Sequence, residues 1–582
     1  MSNEENNDTS LQWFPVSPIE AIEPGSLTTV KKADKQIVLI RHDDGRFFAL
    51  DNKCPHEGYA LAQGDLKDCK LTCCWHNWKF DITNGSCLVG GEGVRSYAVR
   101  EADGQVQIDL SDPDPESLYP ALFESLDEGI FKHENDRAAR DGIRLLQLGY
   151  PADQLLARIA HYDALHAEYG TSHALPVAAD CGRFLSRLDG PEAMYAIIHA
   201  IDMCGDENSR IAPRQRPAPK PNGNLNSIRQ AAEQEDASEA EALLLGAIDS
   251  GTSRSEIESW LHVIISDHFT GFGHPLIYLV KAKELLDRVG DEWMRDIYGS
   301  LLYRYILSTR EDTLPYMKVY RGSMESMEDE LGAVFTKQST TTPFDEREFA
   351  STILDGAPHE ASQALTTALT SGVDNDRIAR ALVLAGATRM LRFDPKVEKD
   401  PSVAETWVWV THRFTHACAV HQIAQRHPSP DSIRYLFHAV AFINSGKRMD
   451  TPAADRVEIK LVPGTIDDFV SSLHARNEQM AIGLALSLLQ TDDGFQALRI
   501  VLEDLSIQDV VIRPIVVAHL IKTTIAAVET YETHADFAAQ DVGMLAIVRF
   551  LCLGIKERRV HDMVTASIGW IVDGKIPKKL TQ

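Results

Sequence analysis

Two cysteines and two histidines stand in pairs near the front of the chain: Cys54 and His56 in "CPHEG", then Cys73 and His76 in "CCWHNWKFD", with sixteen residues between the pairs. Thiolate and imidazole are transition-metal ligands, and this set suits two kinds of centre. One is a tetrahedral zinc site that closes on all four donors. The other is a two-iron cluster in which two cysteines hold one iron and two histidines the other. Cys74, beside Cys73, leaves two candidate sulfurs in the second pair.

Other histidines gather at three places further on: His161, His166 and His173; His262, His268 and His274; His412, His416 and His421. His412 and His416 are four residues apart, which puts both on one helix face, and such a pair can ligate a single metal ion. Against that stands the ordinary role of helical histidines in capping, packing and solvation.

The first two pairs need a scaffold, and the flanking sequence supplies strands. Residues 27–50 alternate apolar and polar positions around Asp44–Gly45, a hairpin signal, and a second hairpin is expected at Asp103–Gly104. The ligand pairs therefore lie on two loops of an all-β domain of about a hundred residues, more sheet than a small zinc module needs. With that context the region resembles the Rieske ferredoxin family, whose usual forms are C-P-H-x-G and C-P-W-H-G-W-x-F-D. The resemblance runs over residues 11–110, and takes in Trp13 and "DGRFFALDNKCPH". It implies one [2Fe–2S] cluster per chain on Cys54, His56, Cys73 and His76, with the solvent-facing histidine edges as the electron's exit and the docking face.

The family pattern selects Cys73 over Cys74. Cys74 stands where proline is usual and Asn77 where glycine is usual, a change asparagine tolerates if the position has a positive φ. High-potential members carry a loop-to-loop disulfide and two hydroxyl side chains near the cluster. Tyr59 and Trp75 occupy the disulfide positions here, and Trp78 and Phe80 the hydroxyl positions. Fewer hydrogen bonds to sulfur stabilise the reduced cluster less, so a potential near the low end of the Rieske range, about −150 mV, is expected.

The whole chain of 582 residues is too long for one core, and its net charge of −27 disfavours nucleic acid and anionic membrane surfaces as partners. The acidic N-terminus does not read as a signal peptide, and no window is long and apolar enough to span a bilayer. A cytoplasmic protein with reduced cysteines is expected. The fold class is multidomain: an N-terminal all-β iron–sulfur domain at 11–111, then a large all-α region at 116–209 and 227–582, interrupted by a proline-rich linker at 210–226 that is expected to loop out. Within the helices, "GYPADQLLARI", "GTSRSEIESWL" and "GVDNDRIARAL" begin at Gly149, Gly251 and Gly372. Each reads as the turn of a duplicated helical hairpin, with a glycine closing one helix before the next begins.

Ring-hydroxylating oxygenases carry two histidines and a carboxylate on iron, and "DALHAEYGTSH" comes closest to that motif but spaces its last histidine too far. No G-x-G-x-x-G marks a fused nucleotide-binding reductase. The helical region is similar to the questin oxidase-like family in "HPLIYLVKAKELL" and "THRFTHACAV", matched at His274, Pro275, Leu276 and Ile277 and then at Phe414, Thr415, His416 and Ala417. The second segment departs in register, and Tyr278 stands where a histidine is common. That family's oxidation of polyketide quinones implies oxygen-dependent chemistry.

These features predict a cluster that passes single electrons to an oxidation site in the same chain. His274, His412 and His416 are its candidate residues and an additional mononuclear metal its candidate cofactor. A reductase, an organic substrate and oxygen would be its partners. The competing expectations are an electron carrier on a helical docking scaffold and a redox-sensing regulator.

Overall fold

In a computed structural model of the chain the described residues are 12–400, 406–509, 513–533, 540–552 and 558–575. The acidic N-terminus and Leu11, the expected start of the β domain, lie outside them. Two compact units emerge. The first takes in the chain up to Tyr150, Gly190–Met194 and the chain from Asp562 on; the second is Pro151–Asp189 with Tyr195–His561.

The first unit holds all the strands: β1 (Trp13–Pro18), β2 (Ser26–Lys32), β3 (Lys35–Arg41), β4 (Phe47–Asp51), β5 (Asp65–Lys67), β6 (Lys70–Thr72), β7 (Lys79–Asp81), β8 (Cys87–Val89), β9 (Ser96–Tyr97), β10 (Val99–Ala102) and β11 (Gln105–Asp109). They pair antiparallel in three sheets, ordered β1-β11-β10, β2-β3-β4-β9 and β5-β6-β7-β8. β3 explains why its sequence is apolar at successive positions: Ile37 and Leu39 enter one core while Val38 and Ile40 enter another, so both faces of this strand are covered. Asp103–Gly104 makes the tight turn between β10 and β11, with φ of +53° and +72°. Ala33–Asp34 does the same between β2 and β3 with φ of +47° and +60°, although neither residue is glycine.

The change from strand to helix falls after β11, and the compact unit runs on past it. The helices Pro115–Lys132 and Asn135–Gln147 belong to it. Arg140 of the second helix forks onto Glu92 at 2.6 and 2.8 Å, both side chains buried. A buried guanidinium needs such a partner to offset the loss of water.

The second unit is helical. Gly149, Gly251 and Gly372 take φ of +90°, +90° and +83° and each ends a helix. The next helices begin at Ala152, Arg254 and Asn375, two of them capped by Ser253 and Asp374. The proline-rich segment is irregular but does not loop out. Arg214 and Arg216 both reach the fully buried Glu241, and Lys220 N donates to Ala242 O. The need of the buried Glu241 charge for these two partners is what ties the segment down. No helix among the described residues is long and apolar enough to cross a membrane.

Candidate metal centres

The first centre is built from two loops of matching form, residues 52–64 between β4 and β5 and residues 73–78 between β6 and β7. In the first loop Cys54 N donates to Tyr59 O at 2.8 Å and Gly58 N to Cys54 O at 2.8 Å. In the second, Cys73 N donates to Trp78 O at 2.8 Å and Asn77 N to Cys73 O at 3.1 Å. Gly58 and Asn77 hold the corresponding left-handed position, at φ +74° and +60°. The backbone thus asks for glycine or asparagine there.

These loops bring like donors together. The buried thiols of Cys54 and Cys73 share a hydrogen bond, which holds Cys73 down at about 6 and pushes Cys54 up. The Nδ1 atoms of His56 and His76 lie 3.0 Å apart. A tetrahedral zinc site would set all four donors roughly 3.3–3.8 Å from one another, given metal–ligand bonds of about 2.0–2.3 Å. Among the described residues, the set of three or more side chains grouped closely enough to hold one metal ion is four histidines elsewhere, and does not include Cys54, His56, Cys73 and His76. Paired sulfurs and paired nitrogens that do not close on one point fit a two-iron cluster.

The surroundings are aromatic. Trp78 stacks on His56 at 4.7 Å, Trp75 stacks on Tyr59 at 5.6 Å across the two loops, and Phe80 is buried. Burial, together with Arg140 and His76, holds His56 below its ordinary pKa. His76 and Cys74 are exposed and Trp75 is 42% exposed, so one histidine edge of the pair faces outward.

The second centre lies in the helical unit. His173, His274, His412 and His519 place one nitrogen each within 4.8 Å of one another. His173 precedes the helix Ala174–Cys181, His274 opens His274–Val289, His412 lies in Trp407–Arg426 and His519 in Pro514–Thr533. His173 Nε2 is 3.0 Å from His274 Nε2, and His412 Nε2 is 2.9 Å from His519 Nε2. The opposite ring nitrogens are anchored outward: His173 Nδ1 to Glu207, His274 Nδ1 to Gly271 O and His519 Nδ1 to Ile515 O. A carbonyl oxygen can only accept, so the Nδ1 atoms of His274 and His519 carry the proton and their Nε2 atoms are bare lone pairs. Lone pairs facing one another repel until a cation lies between them, and outward anchoring of Nδ1 is how metal-binding histidines are oriented.

Burial holds His274, His412 and His519 well below their ordinary pKa and lowers His173 as well. Burial raises the Glu207 carboxyl, but His173 more than offsets this and brings it to about 2. Lys522 is buried, its Nζ has no hydrogen-bond partner, and burial lowers it to about 8. The loop Gly271–Phe272–Gly273 before His274 is left-handed at all three residues, with φ of +49°, +59° and +80°. Phe272 packs on Trp409 with ring centroids 4.1 Å apart, and its N–H donates to Glu311, so two contacts hold the strained residue in place.

Of the candidates read from the sequence, the structure brings His274 and His412 together, with ring centroids 4.3 Å apart. His416 lies elsewhere, beside Phe269 and Phe442, with its Nδ1 unpartnered. The Gly273 backbone packs so tightly on the His416 ring that a Cβ there would come within 2.4 Å of it. The pairing of His412 with His416 is therefore corrected: their shared helix face is split by this packing. His173 and His519 are the residues that spacing could not pick out. His173 carried a signal as a member of the first histidine group and as the last histidine of the iron-motif near miss, whereas His519 stands alone in an otherwise apolar stretch.

A family model for the Rieske [2Fe–2S] domain matches residues 12–97. The chain is 30% identical over 120 residues to the terminal oxygenase component of carbazole 1,9a-dioxygenase from Metapseudomonas resinovorans, covering 18% of this chain and 30% of that one. It is 26% identical over 122 residues to the chloroplastic protein TIC 55 of Pisum sativum, covering 19% and 22%. It is also 27% identical over 114 residues to the ferredoxin component of the alkene monooxygenase system of Xanthobacter autotrophicus, covering 18% of this chain and 86% of that one. The chain thus spans less than a third of the first curated relatives it matches. Among solved structures, apo dicamba monooxygenase matches at 28% identity over 18% of this chain and 34% of that one, with a TM-score of 0.17. Paired thiols, paired imidazoles and the family match agree: residues 12–97 are a Rieske [2Fe–2S] domain, which implies such a cluster.

Proposed function

We propose that the chain is an oxidoreductase in which a [2Fe–2S] cluster on Cys54, His56, Cys73 and His76 passes single electrons to a metal ion held by His173, His274, His412 and His519. At that ion oxygen and an organic substrate would react. In this reading 11–111 is the electron-transfer domain, and the helical stretches 116–209 and 227–582 supply the oxidation site. The observation that carries it is the convergence of four imidazoles, with the Nε2 lone pairs of His274 and His519 turned into the cluster. Imidazole sites suit iron, copper, zinc or nickel, and an electron-delivering neighbour favours a redox metal, iron first. A separate reductase supplies the electrons, at the exposed His76 edge. A reducing compartment such as the cytoplasm agrees with nine cysteines that form no disulfide.

Metal analysis tests the reading. The purified chain should hold two irons for the cluster and one further metal ion. A His412→Ala/His519→Ala double variant should lose the further ion and keep the Rieske electron-spin signal. Two irons in the unaltered chain, with no change in the variant, would instead make the protein an electron carrier on a helical scaffold.

A further inference from the structure

The four helices that carry the histidines also carry a second polar layer. Seven residues past each histidine, two helical turns or about 10 Å along the axis, stand Asp180, Lys281, Ala419 and Ala526. All four line one small internal cavity, with Lys522 and Glu529 beside them. The two alanines leave the space. It offers about 20 Å³ to the centre of a water molecule, against the roughly 10–15 Å³ that one water requires.

The charged groups around this cavity form a chain of contacts. Lys281 Nζ lies 2.8 Å from Asp180 Oδ1, 2.7 Å from Glu284 Oε2 and 3.5 Å from Glu529 Oε2. Asp180 Oδ2 and the Lys522 Nζ have no hydrogen-bond partner, and both residues are almost fully buried. Buried polar atoms without partners that face a cavity of this size call for water. The inner end is sealed, with the Asp180 side chain 1% exposed, while Glu284 and Glu529 are 20% and 28% exposed. The groups facing Asp180 from the other helices are Lys281, Glu284, Glu529 and, across the cavity, Lys522.

We propose that Asp180, Lys281 and Glu529 form a proton-delivery path that enters from solvent at Glu284 and Glu529 and feeds the four-histidine site. The inference rests on the reading that this site receives electrons. An electron brought into a low-dielectric interior is costly unless a proton accompanies it. In the step itself the O–H bond of the Asp180 acid breaks as one forms to the cavity water, and one of that water's own O–H bonds breaks as an N–H bond forms on the neutral amine of Lys522, which lines the cavity three residues past His519. Asp180 is reprotonated from solvent through Glu529 and Glu284, while Lys281 balances the negative charge between them. Burial pushes the Asp180 carboxyl up to about 7, so both of its forms are within reach near neutral pH.

Infrared spectroscopy of the full chain tests the path. At about pH 6, below the pKa of Asp180 and above that of ordinary carboxyls, the protonated-carboxyl region should contain a component that Asp180→Asn removes, while the contribution of Glu311, which burial also pushes up to about 7, remains. Should that variant fail to fold, Asp180→Glu serves, shifting the band instead of removing it. On mixing into heavy water the band should exchange quickly, and Glu284→Gln/Glu529→Gln should slow the exchange about tenfold or more. A spectrum with no band sensitive to Asp180, or an exchange rate unchanged in the double variant, would overturn the path. Metal content measured on the same samples separates the two readings. A chain lacking the further metal ion defeats the oxidation site whatever the exchange rate.

Discussion

Cys73 and Cys74 are neighbours with opposite surroundings. Cys73 is buried, shares its hydrogen bond with Cys54 and starts the loop whose backbone copies the first one. Cys74 is exposed and faces Tyr59, whose hydroxyl pKa it raises. Cys73→Ser should therefore abolish the Rieske electron-spin signal, while Cys74→Ser should leave its shape and intensity unchanged. The opposite result would exchange the two sulfurs as ligands. The residues around the loops also bear on potential. At the positions where high-potential relatives of the family place a disulfide, Tyr59 and Trp75 stack instead and hold the loops together without a covalent bond. Trp78 and Phe80 bring no hydroxyl to the sulfurs, so the low end of the Rieske range remains the expectation.

Within the first unit, the helix Asn135–Gln147 is tied to the strand-bearing part through charge. Arg140 binds Glu92 in the loop after β8 and also bonds Asp136 at 3.0 Å, while Arg144 reaches Glu92 at 3.0 Å. Glu92→Ala should cost about 3–5 kcal/mol, because it removes the buried partner of a buried guanidinium and leaves it only the half-exposed Asp136. The first unfolding transition of a denaturant titration measures this. Pairing Glu92→Leu with Arg140→Met should recover most of the loss, whereas a double variant as unstable as the single one would show that packing, not charge, is what matters there. Local and distant information part company among these elements. The pairing of Cys54 with Cys73 and of His56 with His76 could be anticipated because each half lies within a short loop and the two loops are close in sequence. The Asp103–Gly104 hairpin could be read because its residues tolerate positive φ, whereas Ala33–Asp34 hid the same turn behind an alanine. The three glycine-closed hairpins were legible for the same conformational reason. The four-histidine set was only half legible, since partners 101 and 107 residues apart leave no local spacing to recognise. His416 attracted notice through its spacing from His412, and only the packing of Gly273 shows where its ring goes.

At the scale of the molecule, the two centres differ most in their access to water, and protons should separate them. A metal ion competes with protons for imidazole, and an ordinary histidine begins to lose that competition as the pH falls through about 6.5. Burial depresses the pKa of His173, His274, His412 and His519. A depressed pKa means the folded protein takes up these protons only at pH values below the ordinary one. The sign is therefore toward retention: an ion held there would stay bound to a lower pH than at a site of ordinary histidines. The cluster loops instead place His76 at the surface, where solvent and chelator reach its ring directly. Dialysis against a chelator at successively lower pH, followed by metal analysis and electron-spin spectroscopy, should show the Rieske signal fading before the further metal ion is lost. Release of that ion near pH 6.5, ahead of the cluster, would mean that its histidines reach solvent in the working protein and that the buried site is not where the metal is held.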